Sequence, residues 1–241
     1  MELSNNTPLG ALIKTSLVDY PSNVSSVLFL HGCNLRCPYC YNTELVCGSI
    51  NNPDYVTFEQ VISHLEKRKN VLTGFVLSGG EALLSPYLPF LIKEAKNLGY
   101  KIKLDTNGTF PDKLKELLKD KELCPDFVAL DIKTSPKRYI EFSKNKDVTL
   151  EKKILQSIKI ISNLPKEKRE FRTVLVPTLI TQKEILEISN LLPNDGCWQF
   201  APFRNDNCID NSYNDLLPYT QGQMDNLVEL AKTKIPNSNL R

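Results

Sequence analysis

The sequence contains no hydrophobic run that approaches the ~20 residues that a membrane-spanning helix needs, which argues against an integral membrane protein. Its N-terminal residues also lack the charged-then-apolar pattern of a secretory signal. Acidic and basic residues nearly balance, at 28 and 30, and the net charge is +2. This balance gives no electrostatic case for a nucleic acid or an anionic membrane as partner. We therefore expect a cytoplasmic protein.

Cysteines are also few. The chain has seven, an odd number, and only three of them are clustered. A disulfide framework would show an even, regularly spaced set, so the count favours a reducing compartment. A second cysteine cluster, which would indicate an additional iron–sulfur site, is absent from the sequence. We expect most of the remaining four to be buried thiols; they are Cys47, Cys124, Cys197 and Cys208.

Internal repeats, low-complexity tracts and long linkers are absent as well. With 241 residues, of which 41% are hydrophobic, the chain can form one sizeable core or two small ones. We expect a single domain over residues 1–241, with a core at about 10–205 and a C-terminal extension at about 206–241.

Apolar runs alternate with amphipathic segments along the chain. The apolar runs predict strands at 24–30, 74–78, 100–105, 127–132, 171–176 and 198–200, preceded by a short edge strand at 12–18. Amphipathic periodicity predicts helices at 57–65, 88–98, 111–119, 150–164, 182–192 and 222–232. Strand then helix, repeated about six times, is typical of an α/β fold with parallel strands. Periodicity alone does not separate an open sheet from a barrel.

The most informative stretch follows the first buried strand and has the pattern Cys33-x3-Cys37-x2-Cys40. Thiolates suit iron–sulfur clusters, zinc or Cu(I). A structural zinc site needs four protein ligands, and a cubane iron–sulfur cluster is normally held by four cysteines. Three close cysteines therefore favour a cluster with one iron left open for chemistry. Zinc remains an alternative if His31, Cys47 or a distant cysteine is the fourth ligand, although His31 is better explained as a packed turn residue.

Polar residues and a glycine pair lie at the ends of successive predicted strands. Because the carboxyl ends of parallel strands gather where α/β enzymes place their sites, we expect these residues to share one site. They are Gly79, Gly80, Glu81, Asp105, Thr106, Asn107, Asp131, Lys133 and, on the fifth strand, Arg172. Glycine allows a ligand to approach the backbone closely, and carboxylates beside apolar strands are rarely buried unless they are paired or liganded.

The cysteine motif, with an aromatic residue just before its last cysteine, resembles that of the radical S-adenosylmethionine (AdoMet) superfamily. The segments Ser16–Pro21 and His31–Asn34 are similar to those of the activating proteins of anaerobic ribonucleoside-triphosphate reductase and related glycyl-radical-enzyme activases. The resemblance continues through 79–81, 105–108 and 131–133, and covers about residues 10–205. It implies a partial (β/α)6 TIM-like barrel. Departures from the family pattern are Ser22, Tyr41 and Ala82.

The resemblance also implies cofactors and roles. Cys33, Cys37 and Cys40 would hold three irons of a [4Fe-4S] cluster, and AdoMet would bind the fourth iron. The strand-end residues above would contact AdoMet, with Tyr39 packed against the cluster loop and the adenine. Asp105 and Asp131 would receive ribose hydroxyls, the Lys133 ammonium or a monovalent cation. No side chain is expected to act as a catalyst beyond the cluster and AdoMet.

The implied activity is reductive cleavage of AdoMet to generate a glycyl radical on a partner enzyme. The implied partners are an anaerobic ribonucleotide reductase and, as electron donor, a flavodoxin or ferredoxin. One alternative is a radical AdoMet enzyme that acts on a small molecule, similar to 7-carboxy-7-deazaguanine synthase. A second alternative is a non-enzymatic, zinc-stabilised binding module.

Overall fold

The computed structural model describes residues 4–241 and consists of two compact units. Unit 1 comprises the chain up to Asn34 together with residues 44–106 and 112–128; unit 2 comprises residues 35–43, 107–111 and 129–241. The chain passes from unit 1 to unit 2 inside the cysteine motif. The single domain with a core at about 10–205 stays a prediction. Residues 1–3, which belong to the predicted domain and to the N-terminal stretch without a signal pattern, lie outside the described range.

The strands of unit 1 are β1 (Pro8–Ser16), β2 (Ser25–Leu30), β3 (Val56–Thr57), β4 (Gly74–Gly79) and β5 (Lys101–Thr106). They lie side by side in the order β3-β1-β2-β4-β5. β1 is antiparallel to both of its neighbours, whereas β2, β4 and β5 are parallel to one another. β2 and β4 are buried along most of their length, as expected of parallel strands covered on both faces.

Helices cover unit 1 between these strands. They are α2 (Phe58–Arg68), α3 (Leu88–Asn97) and α4 (Pro111–Lys119), preceded by the short α1 (Thr43–Cys47); α1 and α4 each begin with one residue of unit 2. α2 begins at a capping box, in which Thr57 and Gln60 bond each other's backbone N–H groups. α3 ends just before Gly99, whose φ of +89° favours glycine. The apolar side of α2 is buried through Val61 and Leu65.

Unit 2 continues the alternation of strand and helix. Its strands are β6 (Phe127–Asp131), which begins in unit 1, β7 (Arg169–Leu175), β8 (Cys197–Pro202) and β9 (Asn237–Leu240); its helices are α5 (Leu150–Ser162), α6 (Gln182–Ser189) and α7 (Gln221–Lys232). β7, β8 and β9 are parallel. α5 buries Ile154, Ile158 and Ile161 at helical spacing. Trp198 and Phe200 of β8 are fully buried.

The predicted strands and helices therefore exist, with ends that shift by a few residues. The elements missing from the prediction are short: α1, β3, β9 and 3-10 helices of three to seven residues. In the described part of the chain, the helices are too short or too polar to cross a bilayer.

Candidate active site

The glycine pair at the end of β4, Gly79 and Gly80, lies directly against the turn that leads into the cysteine motif, within unit 1. Gly79 has a φ of +122°, which favours glycine, and a Cβ there would overlap the backbone of Leu30. A Cβ on Gly80 would overlap the carbonyl oxygen of Gly32. The Gly80 N–H donates to the Leu30 carbonyl at 3.0 Å. Close contact between two backbone segments is thus the local reason for both glycines.

Glu81 ties the end of β4 to the end of β5. Its backbone N–H donates to the Gly32 carbonyl at 2.9 Å, and its carboxylate accepts from the Leu83 N–H at 3.1 Å and from the Thr106 hydroxyl at 2.8 Å. The side chain is buried, at 1% exposure. Two predicted site residues, Glu81 and Thr106, are therefore in direct contact. Their hydrogen bond holds the turn at Gly79 and Gly80 in place, and we name that turn the glycine turn.

Asp105 lies beside a lysine that sequence reasoning missed. Lys103 Nζ is 2.6 Å from Asp105 Oδ1, and the Lys103 side chain is fully buried. Residues two apart point to the same face of a strand. The alternation of Lys103 and Asp105 with apolar Ile102 and Leu104 is therefore the sequence signal that could have predicted this ion pair. A buried ammonium requires such a partner.

Asp131, Lys133 and Arg172 form one ion-paired cluster in unit 2. Arg172 Nε donates to Asp131 Oδ1 at 2.7 Å, and Lys133 Nζ donates to Asp131 Oδ2 at 3.1 Å. All three side chains are about one-quarter exposed. Tyr139, which the sequence did not single out, accepts the Lys133 N–H at 2.8 Å. The structure thus pairs Arg172 with an acidic neighbour.

Electrostatics favour the charged forms in this cluster. Burial by itself raises the pKa of Asp131, but the positive charges of Arg172 and Lys133 and their hydrogen bonds outweigh it and hold that pKa below its ordinary value. Burial likewise works against the Lys133 ammonium, yet Asp131 raises the pKa of Lys133 above its usual range. The cluster therefore presents a net positive charge at neutral pH, suited to an anionic group such as a carboxylate.

The second half of the cysteine motif belongs to unit 2 and contains Tyr39. The Cys40 N–H donates to the Cys37 carbonyl at 3.1 Å, which forms a tight turn. Tyr39 packs edge-on against Phe142, with ring centroids 6.3 Å apart, and is 5% exposed. Burial raises the pKa of Tyr39. Within residues 4–241, its buried hydroxyl has no hydrogen-bond partner, and such an orphan invites a ligand or water.

The segment 204–214, which we name the strap, lies across this motif. The Ile209 N–H donates to the Cys40 carbonyl and the Asp210 N–H to the Pro38 carbonyl, both at 3.0 Å. The strap is closed on itself by the Asn214 side chain, which accepts the Cys208 N–H at 2.8 Å. Its asparagine and aspartate content predicts turns but not the surface on which they lie.

Two further residues take local positions. Asn107 is buried, and its side-chain oxygen accepts from the Thr109 N–H at 3.0 Å and from the Thr109 hydroxyl at 2.7 Å. His31 lies 3.0 Å from the Gly48 carbonyl and packs on Tyr55, so its interpretation as a packed turn residue is confirmed. Of the four cysteines outside the motif, Cys208 is buried, Cys124 and Cys197 are partly exposed and Cys47 is exposed. The expectation that most of them are buried is therefore wrong, because three of them lie near the surface of their elements.

Comparison with known proteins identifies the family. A family model described as the Radical SAM superfamily matches residues 27–192. This chain belongs to the radical SAM superfamily. A Methanocaldococcus jannaschii protein, provisionally named a glycyl-radical enzyme activating enzyme, is 29% identical over 239 residues, which are 97% of this chain and 95% of that protein. The pyruvate formate-lyase-activating enzyme of Clostridium pasteurianum is 32% identical over 186 residues, covering 74% of this chain and 73% of that enzyme.

A solved structure agrees on the fold. Escherichia coli QueE superposes on this radical SAM chain with a TM-score of 0.57 at 13% identity, covering 97% of this chain and 92% of that one. The predicted fold class, an α/β partial barrel of the radical SAM type, is confirmed. The chain is a radical SAM enzyme, with a [4Fe-4S] cluster and AdoMet as cofactors. The alternative of a zinc-stabilised binding module is not supported.

The residues of this radical SAM chain fit those cofactors. Cys33, Cys37 and Cys40 carry thiols rather than disulfides, and thiolates are the usual ligands of an iron–sulfur cluster. The backbone around Gly80 leaves no room for a Cβ next to the turn before Cys33, so that turn has a fixed geometry. The orphan hydroxyl of Tyr39 adds a buried polar group beside the second and third cysteines.

Proposed function

We propose that this radical SAM enzyme activates a glycyl radical enzyme, with an anaerobic ribonucleotide reductase as the partner. The observation that carries the proposal is similarity along almost the whole chain to a protein named as an activating enzyme of that kind. The single cysteine cluster supports it, because additional cysteines for auxiliary clusters are absent from the sequence. The segment Ser16–Pro21 resembles that of the activating proteins of anaerobic ribonucleoside-triphosphate reductase, and this resemblance supports the reductase as partner.

In this proposal the three motif cysteines have the metal role. Cys33, Cys37 and Cys40 would hold the cluster, which would keep a coordination position for AdoMet. When bound, the two cofactors supply one-electron reductive chemistry that can remove a hydrogen atom from a glycine of the partner. Tyr39 keeps water away from this region, since its ring is buried against Phe142. Bonds from the strap hold the carbonyls of Pro38 and Cys40.

The strand-end residues orient AdoMet in this proposal. Gly79 and Gly80 present backbone carbonyls to its ammonium group, while Glu81 and Thr106 hold the glycine turn in place through their 2.8 Å bond. Arg172 and Lys133, held by Asp131, provide the positive charge that receives its carboxylate. The polar groups at the end of β5 contact the ribose of AdoMet or a monovalent cation; these are Asp105, Thr106 and Asn107.

The experiment is a reconstitution under anoxic conditions. The loaded protein, AdoMet, dithionite and an anaerobic ribonucleotide reductase are mixed and frozen for electron paramagnetic resonance. We expect a glycyl radical signal that depends on AdoMet and is absent from the Cys37→Ser variant. Cys124→Ser, a cysteine outside the motif, is the matched control and should retain the signal.

Other outcomes separate the alternatives. A glycyl signal on pyruvate formate-lyase but not on the reductase would overturn the choice of partner and keep the activity. Cleavage of AdoMet that requires a small-molecule substrate, with no radical on either protein, would overturn the activase and favour an enzyme similar to 7-carboxy-7-deazaguanine synthase.

A further inference from the structure

Positive charge is concentrated in one stretch of the chain. Residues 137–159 contain seven basic and three acidic residues, whereas the rest of the sequence contains 23 basic and 25 acidic residues. We name this stretch the basic face. Its exposed lysines are Lys137, Lys144, Lys146, Lys152 and Lys159. A protein of net charge +2 therefore has one region able to attract a strongly acidic partner.

The acidic residues of the basic face do not neutralise these lysines. Glu141 is paired with Arg138 at 2.8 Å, and Asp147 with Lys153 at 2.9 Å. The basic partners, Arg138 and Lys153, are only partly exposed. These two ion pairs therefore do not involve the exposed lysines. Glu151, the third acid, is half-buried. The exposed charge of this region thus remains positive.

An apolar groove lies within the basic face. It has a volume of about 370 Å³, is open to solvent, and contains two exposed apolar side chains, Val148 and Leu155, which are 79% and 37% exposed. The other residues that line it are Glu151, Lys152, Gln156 and Lys159. Leu155, Lys152 and Lys159 share one side of α5 because they are spaced by three and four residues. An apolar centre with a charged rim is the usual anatomy of a protein interface.

The basic face is joined directly to the cysteine motif. Ser143 forms an isolated β-bridge with Leu35, and the Arg36 N–H donates to the Phe142 carbonyl at 2.8 Å. The Asp147 N–H in turn donates to the Ser143 hydroxyl at 3.0 Å. These steps place the Cα atoms of Leu35 and of the groove residue that follows Asp147 within about 16 Å of each other. A protein seated in the groove is therefore close to the cysteine motif.

We propose that the basic face is the docking surface for a small acidic protein that carries one electron. The proposal rests on the proposed function, since AdoMet cleavage needs an external electron. One electron leaves the redox centre of the carrier, which is oxidised, and enters the cluster, which is reduced; no bond forms or breaks and no proton moves in this step. The lysine rim attracts the carrier and the apolar centre fixes its orientation.

The test compares two double variants of the loaded enzyme with the same change of charge. Lys144→Glu/Lys152→Glu alters the basic face, and Lys183→Glu/Lys234→Glu alters exposed lysines elsewhere in unit 2. Lys152 lies in the first turn of α5, where a glutamate is favourable, so the fold should tolerate the change. The probe is an acidic ferredoxin reduced photochemically. Its dissociation constant is measured by calorimetry, and cluster reduction by stopped-flow absorbance.

We call Lys144→Glu/Lys152→Glu the face variant. At low ionic strength, we expect it to bind ferredoxin at least about 10-fold more weakly than wild type, and ferredoxin to reduce its cluster at least about 10-fold more slowly. The control variant should match wild type. High salt should remove the difference, because it screens the attraction. Reduction by dithionite should be equal in all three proteins. Leu155→Gln, which keeps the charge, should weaken binding even at high salt.

Equal ferredoxin binding and reduction in the face variant and wild type would overturn the docking proposal. It would also fail if the face variant were reduced normally but no longer activated its glycyl radical partner with dithionite, since the face would then dock that enzyme. The proposed function fails separately: AdoMet cleavage with dithionite that yields no glycyl radical refutes the activase and leaves the ferredoxin results to decide the docking surface.

Discussion

The charges among the predicted site residues are held by neighbours close in the sequence or on the next strand. Lys103 and Asp105 share one face of β5, and Asp131 lies between Lys133 of its own segment and Arg172 of β7. Each ion pair offsets the cost of removing charge from water, so loss of one member exposes the others to that cost. We therefore expect substitutions in these ion pairs to lower the free energy of unfolding more readily than they lower the activity.

The Asp131 cluster should make stability depend on pH. Because the folded pKa of Asp131 is below the unfolded value of about 3.9, its carboxylate stabilises the fold above that pH. This contribution is lost as pH falls through the folded value. We expect Asp131→Asn to lower the free energy of unfolding by about 1–3 kcal/mol at pH 7. The difference from wild type should shrink below about pH 4, as urea denaturation of the cofactor-free protein can measure.

Asp215→Asn is the control for this prediction, since Asp215 is an exposed aspartate of unit 2. Its difference from wild type should stay close to zero across the same pH range. An Asp131→Asn variant with a constant deficit from pH 7 to pH 3 would show that the cluster contributes packing rather than charge.

The glycine turn gives a second residue-level prediction. Gly80→Ala should lower the free energy of unfolding by about 1–3 kcal/mol and reduce iron content, because the new Cβ would push the Gly32 carbonyl and the turn before the first cysteine. Gly222→Ala is the matched control. It has open space around it in the first turn of α7, so it should keep or raise stability by up to about 1 kcal/mol. Equal behaviour of the two variants in urea denaturation would contradict the steric explanation.

At the scale of elements, the cysteine motif is held by loops and by short helical segments: Leu45 of α1 accepts the Gly32 N–H, and Phe142 accepts the Arg36 N–H. The glycine turn at the end of β4 fixes the segment before the first cysteine, and the strap fixes the segment around the last. Most hydrogen bonds of the strap are internal, and it is joined to the motif and its flank through Ile209, Asp210 and Asn207, which donate to Cys40, Pro38 and Thr43. An element held by so few bonds can open without unfolding the rest of the protein.

Asn214→Ala should therefore loosen the strap and leave the fold intact. The Cys208 N–H would lose its partner at 2.8 Å, and the strap would hold the motif less firmly. We expect iron to be lost to a chelator several-fold faster, with a change of less than about 1 kcal/mol in the free energy of unfolding. Asn51→Ala, an exposed asparagine outside the strap, should release iron at the wild-type rate. An unchanged rate of iron release in Asn214→Ala would show that the strap does not stabilise the metal site.

At the scale of the whole molecule, the cysteine motif is divided between the two compact units. Cys33 belongs to unit 1, and Cys37 and Cys40 belong to unit 2. The strand-end residues are divided in the same way, with Gly80 and Asp105 in the first unit.

The chain as a whole should hold one cluster. Anoxically reconstituted protein should contain about four irons and four sulfides, the content of one [4Fe-4S] cluster. The Cys33→Ser, Cys37→Ser and Cys40→Ser variants should each lose most of this iron, as measured by colorimetric assay and visible absorbance. The Cys47→Ser/Cys124→Ser variant should retain it. About eight irons in the wild type would show a second cluster and contradict the prediction.

The sequence by itself determined the elements and the cofactor chemistry. Alternating apolar runs and helical periodicity depend on neighbours a few residues apart, so β2, β4 and α5 could be predicted with ends that are correct within a few residues. The cysteine spacing and the residues after each strand are equally local, and they indicated a radical SAM enzyme with AdoMet-binding residues at the strand ends.

Only the tertiary structure decided which long-range contacts these residues make. The polar strand β9 pairs with β8, the strap lies on the cysteine motif, and the basic face reaches that motif through Ser143. Such contacts join residues tens to hundreds of positions apart, and local propensity does not encode their register. They depend on how whole elements pack, because burial and hydrogen-bond satisfaction are settled only when distant segments meet.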